Sequence, residues 1–351
     1  MYISLFDINQ NHITNITNIT YNLTRRAFDY DTFSASGFTK QNVLTAKIMV
    51  LNDEQDVDIY SCLVDNVTID DNNIVTVKGL DFKRLLDSEV LSKIEGVGLY
   101  QIINNSVEAI INSDDITFQK IPFKYKTTTF SEDTTLFGDF TDTQKVINVR
   151  KFISPYLKYY NIREIYKYYE STREIELSFI RGAGALDITL DDFDTTKTTT
   201  SNTVNKCVAG LEIRLADDVT INYLPKQYYF LTSSNNIVQS STNELLDDRL
   251  YPVVEKQFYK EFLANAQFEA IRTLAEQRFV DNIILNETTQ TNPIDFTKLD
   301  LLQSINIYTA GAFYKTLPIS EITQNYTKNS FRYFIKLGFK KILLTEIIKG
   351  D

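Results

Sequence analysis

Over its first 80 residues the chain is cut into short runs dense in β-branched and aromatic side chains: Tyr2–Phe6, Val43–Leu51, Asp58–Ile69 and Asn73–Val77. Runs of this length, separated by turn residues such as Asp70-Asp71-Asn72, fold as strands. In Asp58–Ile69 the apolar positions Ile59, Leu63, Val67 and Ile69 fall mostly on one face, and Gly79 is expected to end the last strand. Strands this short at near-regular spacing restrict the segment to an antiparallel barrel or sandwich.

Helical spacing takes over near residue 97. Leu99, Ile102, Ile103, Ser106 and Ile110 share one face of a helix opened by Gly96-Val97-Gly98. Asp142 is placed to cap a helix carrying Val146, Val149 and Ile153. Ser154-Pro155 reads as an N-cap followed by proline at the first helical position, opening a further helix with Ile162, Ile165, Tyr166 and Tyr169 on one side. Glu174–Ile180 returns to strict alternation, with Ile175, Leu177 and Phe179 inward. The polar stretch from Asp191 to Thr203 reads as a linker or exposed loop. Strands resume at Cys207–Leu215, Val219–Tyr223 and Gln227–Leu231. A long helix is predicted from about Val254 to Asn282, because Phe262, Ala266, Ala270 and Leu274 recur every four residues. Ile305–Ala310, Ser330–Leu337 and Ile342–Ile348 read as closing strands. The expected organisation is α+β. A barrel-like domain spans 1–92, an α+β insertion 93–205 and a second barrel-like domain 206–351, the last with a helical insertion near 254–282.

Charge and composition remove several function classes. Lys plus Arg number 36 against 46 Asp plus Glu, a net −10, so the chain is not suited to coating DNA or anionic lipid. No run approaches the roughly 18 apolar residues of a membrane helix, and the first residues lack the basic and apolar regions of a signal peptide. Stable membrane binding is therefore not expected, and synthesis in a reducing cytosol is. Cys62 and Cys207 make neither a disulfide framework nor a zinc site.

A triad or Cys-His nucleophile needs a histidine base, and the sole candidate is His12, in an Asn-rich polar stretch. Carboxylate chemistry could draw on Asp187, Asp191, Asp192 and Asp194, or on Asp139 and Asp142. Clustered acids in polar loops are more often solvated, and the Asp191–Asp194 spacing lacks the glycine and terminal glutamate of a calcium loop. Arg181-Gly182-Ala183-Gly184-Ala185 lacks the lysine of a phosphate loop and reads as a bend between strands. Tyr156, Tyr159, Tyr160, Tyr166, Tyr168 and Tyr169 could form a ligand or partner surface, or a Tyr-rich rim where a helix meets a sheet. No catalytic, cofactor or metal residue is assigned.

The order of segments carries a resemblance. Leu5-Phe6-Asp7 is followed by Arg25-Arg26-Ala27-Phe28-Asp29-Tyr30-Asp31-Thr32-Phe33-Ser34, then Asn52-Asp53 and Val64-Asp65. Next comes the run Asn73-Ile74-Val75-Thr76-Val77-Lys78-Gly79-Leu80-Asp81-Phe82-Lys83-Arg84-Leu85-Leu86. This series, with Lys336-Leu337-Gly338-Phe339 near the end, resembles the baseplate hub proteins of siphophage tails, which include the N-terminal domains of tail-associated lysins. The resemblance implies kinship in fold with the central hubs of contractile tails and type VI spikes. It implies two tube-like barrels per chain and a homotrimer at the virion tail tip. It further implies a non-enzymatic role closing the distal tube and docking distal tail, tape-measure, and fibre or needle proteins, with DNA only in transit. A carbohydrate- or receptor-binding tail protein is the alternative.

Overall fold

The computed structural model describes residues 1–93, 103–104, 107, 110, 123–125, 144–182, 184–190, 194–198, 204–215, 221–232, 236–243, 254–277, 282–286, 294–327 and 330–339. The N-terminal unit is built from β1 (Tyr2–Phe6), β2 (His12–Arg26), β3 (Thr32–Phe38), β4 (Ile48–Asn52), β5 (Asp58–Ile69) and β6 (Ile74–Leu80). Pairing runs β1-β4-β5-β6-β3-β2, and β2 returns to β1, so six strands close into a barrel with no open edge. Ile3, Leu5, Ile16, Ile19, Leu23, Phe33, Leu51, Cys62, Val75 and Val77 fill its interior.

The longest strand of this barrel, β2, went unread in the sequence because its period breaks. Ile16 and Ile19 both face inward although they are three residues apart, and the register with β3 shifts between Thr17 and Thr20. Asn18 takes up the extra residue at φ +53. Gly37 passes directly over this bulge. A Cβ there would lie 2.5 Å from Ile16 Cγ2 and 2.8 Å from the Thr17 carbonyl oxygen. Gly79 does not end β6, which continues to Leu80; a Cβ at Gly79 would lie 2.3 Å from Cys62 Sγ. The glycine marks close packing rather than a stop.

After the turn Phe82–Asp87, β7 (Glu89–Lys93) pairs with β9 (Gln144–Asn148), and β8 (Phe123–Tyr125) joins β11 below. Helix α1 (Val149–Tyr160) follows, then β10 (Ile162–Tyr169) and β11 (Glu174–Arg181). Three expectations change here. Val146 lies in a strand and is exposed, and α1 runs straight through Ser154-Pro155. The N-cap is Asn148, whose side chain accepts from the Lys151 N–H. The predicted second helix is a strand, because Asn161, left-handed at φ 56, ends α1 one residue before Ile162. β10 gave no alternating signal since both its faces are covered. Ile162, Arg163 and Glu164, which point to alternate faces, are buried in succession, and along the even-numbered face Ile162 joins the cluster of α1 and Tyr168 that of Phe6, Ile48 and Val50 of the barrel. Ile175, Leu177 and Phe179 face inward as expected. Ile103, Val107 and Ile110 are helical and buried with α1, while Leu99, Ile102 and Ser106 lie outside the described residues.

β12 (Ala185–Thr189) and β13 (Asp194–Thr198) belong to a second sheet with β18 (Asn282–Asn286), β19 (Ser304–Thr309), β20 (Ala312–Thr327) and β21 (Ser330–Leu337). Its order is β12-β19-β20-β21-β18-β13, and no pairing joins β12 to β13 among the described residues. β20, with 16 residues, also pairs with β2 from Tyr21–Tyr326 to Arg26–Glu321. One strand therefore belongs to both sheets. A line of rings follows the same route from Phe296 through Tyr333, Phe331, Tyr326, Tyr21 and Phe33 to Tyr60, successive centroids being 4.9–6.4 Å apart.

The remaining strands, β14 (Lys206–Arg214), β15 (Ile221–Leu231), β16 (Ile237–Ser240) and β17 (Glu255–Lys260), form a separate sheet covered by helix α2 (Leu263–Gln277). The two strands expected between Val219 and Leu231 are one, carrying Pro225 opposite Gly210 at a bulge. The helix predicted over about 254–282 is shorter. Ala266, Ala270 and Leu274 are buried as their spacing required, but Phe262 is exposed, Glu255–Lys260 pairs parallel to β14, and Asn282 opens β18. Ile342–Ile348 lies outside the described residues.

Candidate functional site

Most sequence candidates are dispersed and structurally occupied. His12 begins β2, with Nε2 2.8 Å from Asn15 Oδ1 and its ring edge-on to Phe6. Asp187 on β12 accepts a hydrogen bond from the Asn306 amide, and Asp194 opens β13. Asp139, Asp142, Asp191 and Asp192 lie outside the described residues. Among the described residues no group of three or more His, Cys, Asp or Glu side chains is arranged to hold a metal ion, and no helix is long and apolar enough to cross a membrane. Cys62 and Cys207 are buried free thiols, and burial pushes Cys207 up to about 12. Gly182 and Gly184 lie between β11 and β12, where a Cβ at Gly182 would sit 2.0 Å from the Leu302 carbonyl oxygen. Of the tyrosines, Tyr156 and Tyr168 are buried, Tyr156 beside Phe268 of α2 and Tyr168 bonded to Gln10.

What the sequence did not disclose is a buried network of charges where the barrel, β10 and the second sheet meet. Asp81 starts it. One carboxylate oxygen accepts the Lys83 N–H at 2.9 Å, fixing the turn Phe82–Asp87, and the other accepts the Asp31 N–H at 2.6 Å. Lys83 is thereby directed inward, where its ammonium donates to the Arg26 and Asp29 carbonyls and to Asp31 Oδ1 at 2.7–2.8 Å. Burial works against this ammonium, but Asp31 and Asp81 outweigh it and hold Lys83 above its ordinary value. Arg26 reaches Glu321 of β20 at 2.9 Å and the Tyr30 carbonyl at 2.8 Å. Arg150 of α1 bonds Glu164 of β10 at 2.9 Å, and Arg163 pairs with Asp300. Burial raises the Glu164 carboxyl, with Arg150 and Lys83 opposing it.

A cavity of about 200 Å³ opens in the middle of this network. Its walls come from β2 (Arg25, Arg26), β5 (Asp58–Ser61), the segment around Asp81 and Lys83, and β10 (Arg163–Lys167). Four polar atoms on residues lining it are buried without a hydrogen-bond partner: Asp58 Oδ1, Arg163 Nε, Glu164 Oε1 and Tyr166 Oη. Burial holds the Asp58 carboxyl up at about 6. Chemically, the arrangement can lock three structural units and offer polar groups to a small molecule. Among the described residues that line it there is no histidine or cysteine to make the base–nucleophile pair sought in the sequence.

No family model and no curated protein matches the sequence. Solved structures do. The 43 kDa tail protein of prophage MuSo2 from Shewanella oneidensis superposes with a TM-score of 0.55 at 10% identity, covering 97% of this chain and 99% of that one. The chain has the fold of phage tail proteins. A prophage tail protein from Listeria monocytogenes gives a TM-score of 0.57 at 10% identity, with 99% and 98% covered. A tail protein from Neisseria meningitidis gives 0.52 at 9%, with 98% of each chain covered. The likeness therefore covers nearly the whole length of the chain. The residues that carried that resemblance are also those of the network: Arg26 and Asp31 from the first motif, Asp81 and Lys83 from the second.

Proposed function

We propose that the chain is the structural hub at the distal end of a phage, prophage or tailocin tail. In this reading it closes the tail tube and docks the distal tail protein, the tape-measure protein, and fibre or needle components. The observation that carries the reading is the full-length match in fold to tail proteins, reciprocal to within a few per cent of either chain. It acts without catalysis, as a virion component at the tail tip, with DNA passing through and not bound.

The working unit in this proposal is a homotrimer. Its N-terminal barrel covers 1–92 and an α+β insertion begins at 93. The insertion runs to 205 and the second barrel-like unit lies within 206–351, its β18–β21 sheet being extended by β12 and β13 from the insertion. Three chains then present six barrel-like units to a sixfold ring, and cyclic closure covers the outer edges of β12 and β13. Co-expression with the distal tail protein, followed by light scattering, tests this. A mass near three times 40.5 kDa per hub is expected. A chain that stays monomeric in the presence of that partner would overturn the hub reading.

A further inference from the structure

We propose that the cavity at the three-way junction binds a small oxyanion (phosphate, sulfate or a carboxylate) between Arg25 and Arg163. This goes beyond the hub reading and does not depend on it.

The cations around the cavity are not equally satisfied. Lys83 is fully engaged by two carboxylates and two carbonyls, and Arg26 by Glu321 and the Tyr30 carbonyl. Arg163 gives one terminal nitrogen to Asp300, while its Nε has no partner although nine-tenths of the side chain is buried. Arg25 lines the same cavity and has no carboxylate partner among the described residues. The two guanidiniums feel each other: burial first, and then the charge of Arg25, depresses Arg163 below its ordinary value. Like charges facing one partly enclosed space repel, and an anion between them removes the repulsion. Guanidinium forks match the oxygens of phosphate, sulfate and carboxylate, and the Tyr166 hydroxyl adds an unspent donor at the same wall. About 200 Å³ is several times the roughly 30 Å³ share of one water in the liquid, which leaves room for a tetrahedral oxyanion.

The acids on the walls set the pH at which the site is strongest. Asp31 and Asp81 are held by Lys83, and Glu164 by Arg150. Asp58 faces Lys167 of β10, Glu170 just beyond it, and Tyr60 and Tyr169, with no ion pair of its own among the described residues. Once Asp58 is protonated, the cavity loses a negative charge and gains a donor.

Calorimetric titration of the full chain with sulfate, phosphate and acetate at constant ionic strength tests the site. Sulfate stabilises proteins generically by exclusion from their surfaces, so the decisive comparison is with Arg25→Gln. Saturable heat is expected for wild type and for the exposed control Lys298→Gln, with affinity reduced at least tenfold in Arg25→Gln and less in Arg25→Lys. Sulfate should bind several-fold more tightly at pH 5.5 than at 7.5, and Asp58→Asn should abolish that difference. Heat with acetate but not with sulfate or phosphate assigns the site to a carboxylate group; the reverse assigns it to an inorganic oxyanion. No saturable heat with any of the three, or affinity unchanged in Arg25→Gln, would overturn the proposal. Should Arg25→Gln fail to fold, an unchanged affinity in Arg25→Lys together with equal sulfate affinity at both pH values would overturn it equally.

Discussion

Lys83 and Asp58 illustrate two opposite fates for a buried charge. Lys83 is enclosed by groups that match it, so removing it leaves Asp31 and Asp81 buried and uncompensated. Lys83→Met is expected to cost about 3–5 kcal/mol, read as a lower denaturant midpoint at pH 7 with an unchanged slope. Asp58 is under-matched: burial lifts its carboxyl from 3.8 to about 6. An acid raised in the folded state holds its proton more tightly there than in the unfolded chain. Stability from this group is therefore greatest below about pH 4 and declines as pH rises through 6. Asp58→Asn should raise stability by about 1–3 kcal/mol at pH 8, since each pK unit corresponds to about 1.4 kcal/mol. The gain should vanish near pH 4. Chemical denaturation at both pH values measures it, and a variant less stable than wild type at pH 8 would refute the assignment of Asp58 as unpaired.

Elements were legible where one face is wet and hidden where both faces are covered. β11 alternates because one face meets the core and the other does not, and its reading is good nearly to the residue; β5 is bounded correctly by its flanking turns although its burial does not alternate. β10 is covered on both faces at its start, Glu164 meeting Arg150 of α1 and Arg163 meeting Asp300, so Ile162, Arg163 and Glu164 are buried in succession and no period survives. β2 was lost to a bulge, and α2 was read too long because β17, just before it, is held by pairing with β14 rather than by its own pattern. Two substitutions check these accounts. Gly37→Ala should destabilise by about 1–3 kcal/mol, because the added carbon meets the bulge at Ile16 and Thr17 where neither neighbour is a flexible tip. Leu274→Ala, on the buried face of α2, should cost about 2–5 kcal/mol in thermal or denaturant unfolding. The network was half legible. Its motif residues stood out as a series, but nothing in the spacing said that Lys83 would meet Asp31 from 52 positions away.

At the scale of the molecule, the two sheets are not separate bodies joined by a linker. β20 pairs with both β2 and β21 over Glu321–Tyr326 and with β19 over Ala312–Pro318, and the Tyr21–Tyr326 stack crosses the β2–β20 seam. Tyr326→Ala should weaken this seam enough to split a single unfolding transition into two, detectable by calorimetry; one sharp transition at a lower temperature would mean the backbone ladder suffices alone. The mechanical consequence follows from the direction of that ladder. A pull along β20 loads all the β2–β20 hydrogen bonds together in shear, whereas a pull across it would open them one at a time like a zipper. A load applied at the second sheet along this strand is thus carried into a barrel with no free edge, through a continuous peptide backbone and without a hinge.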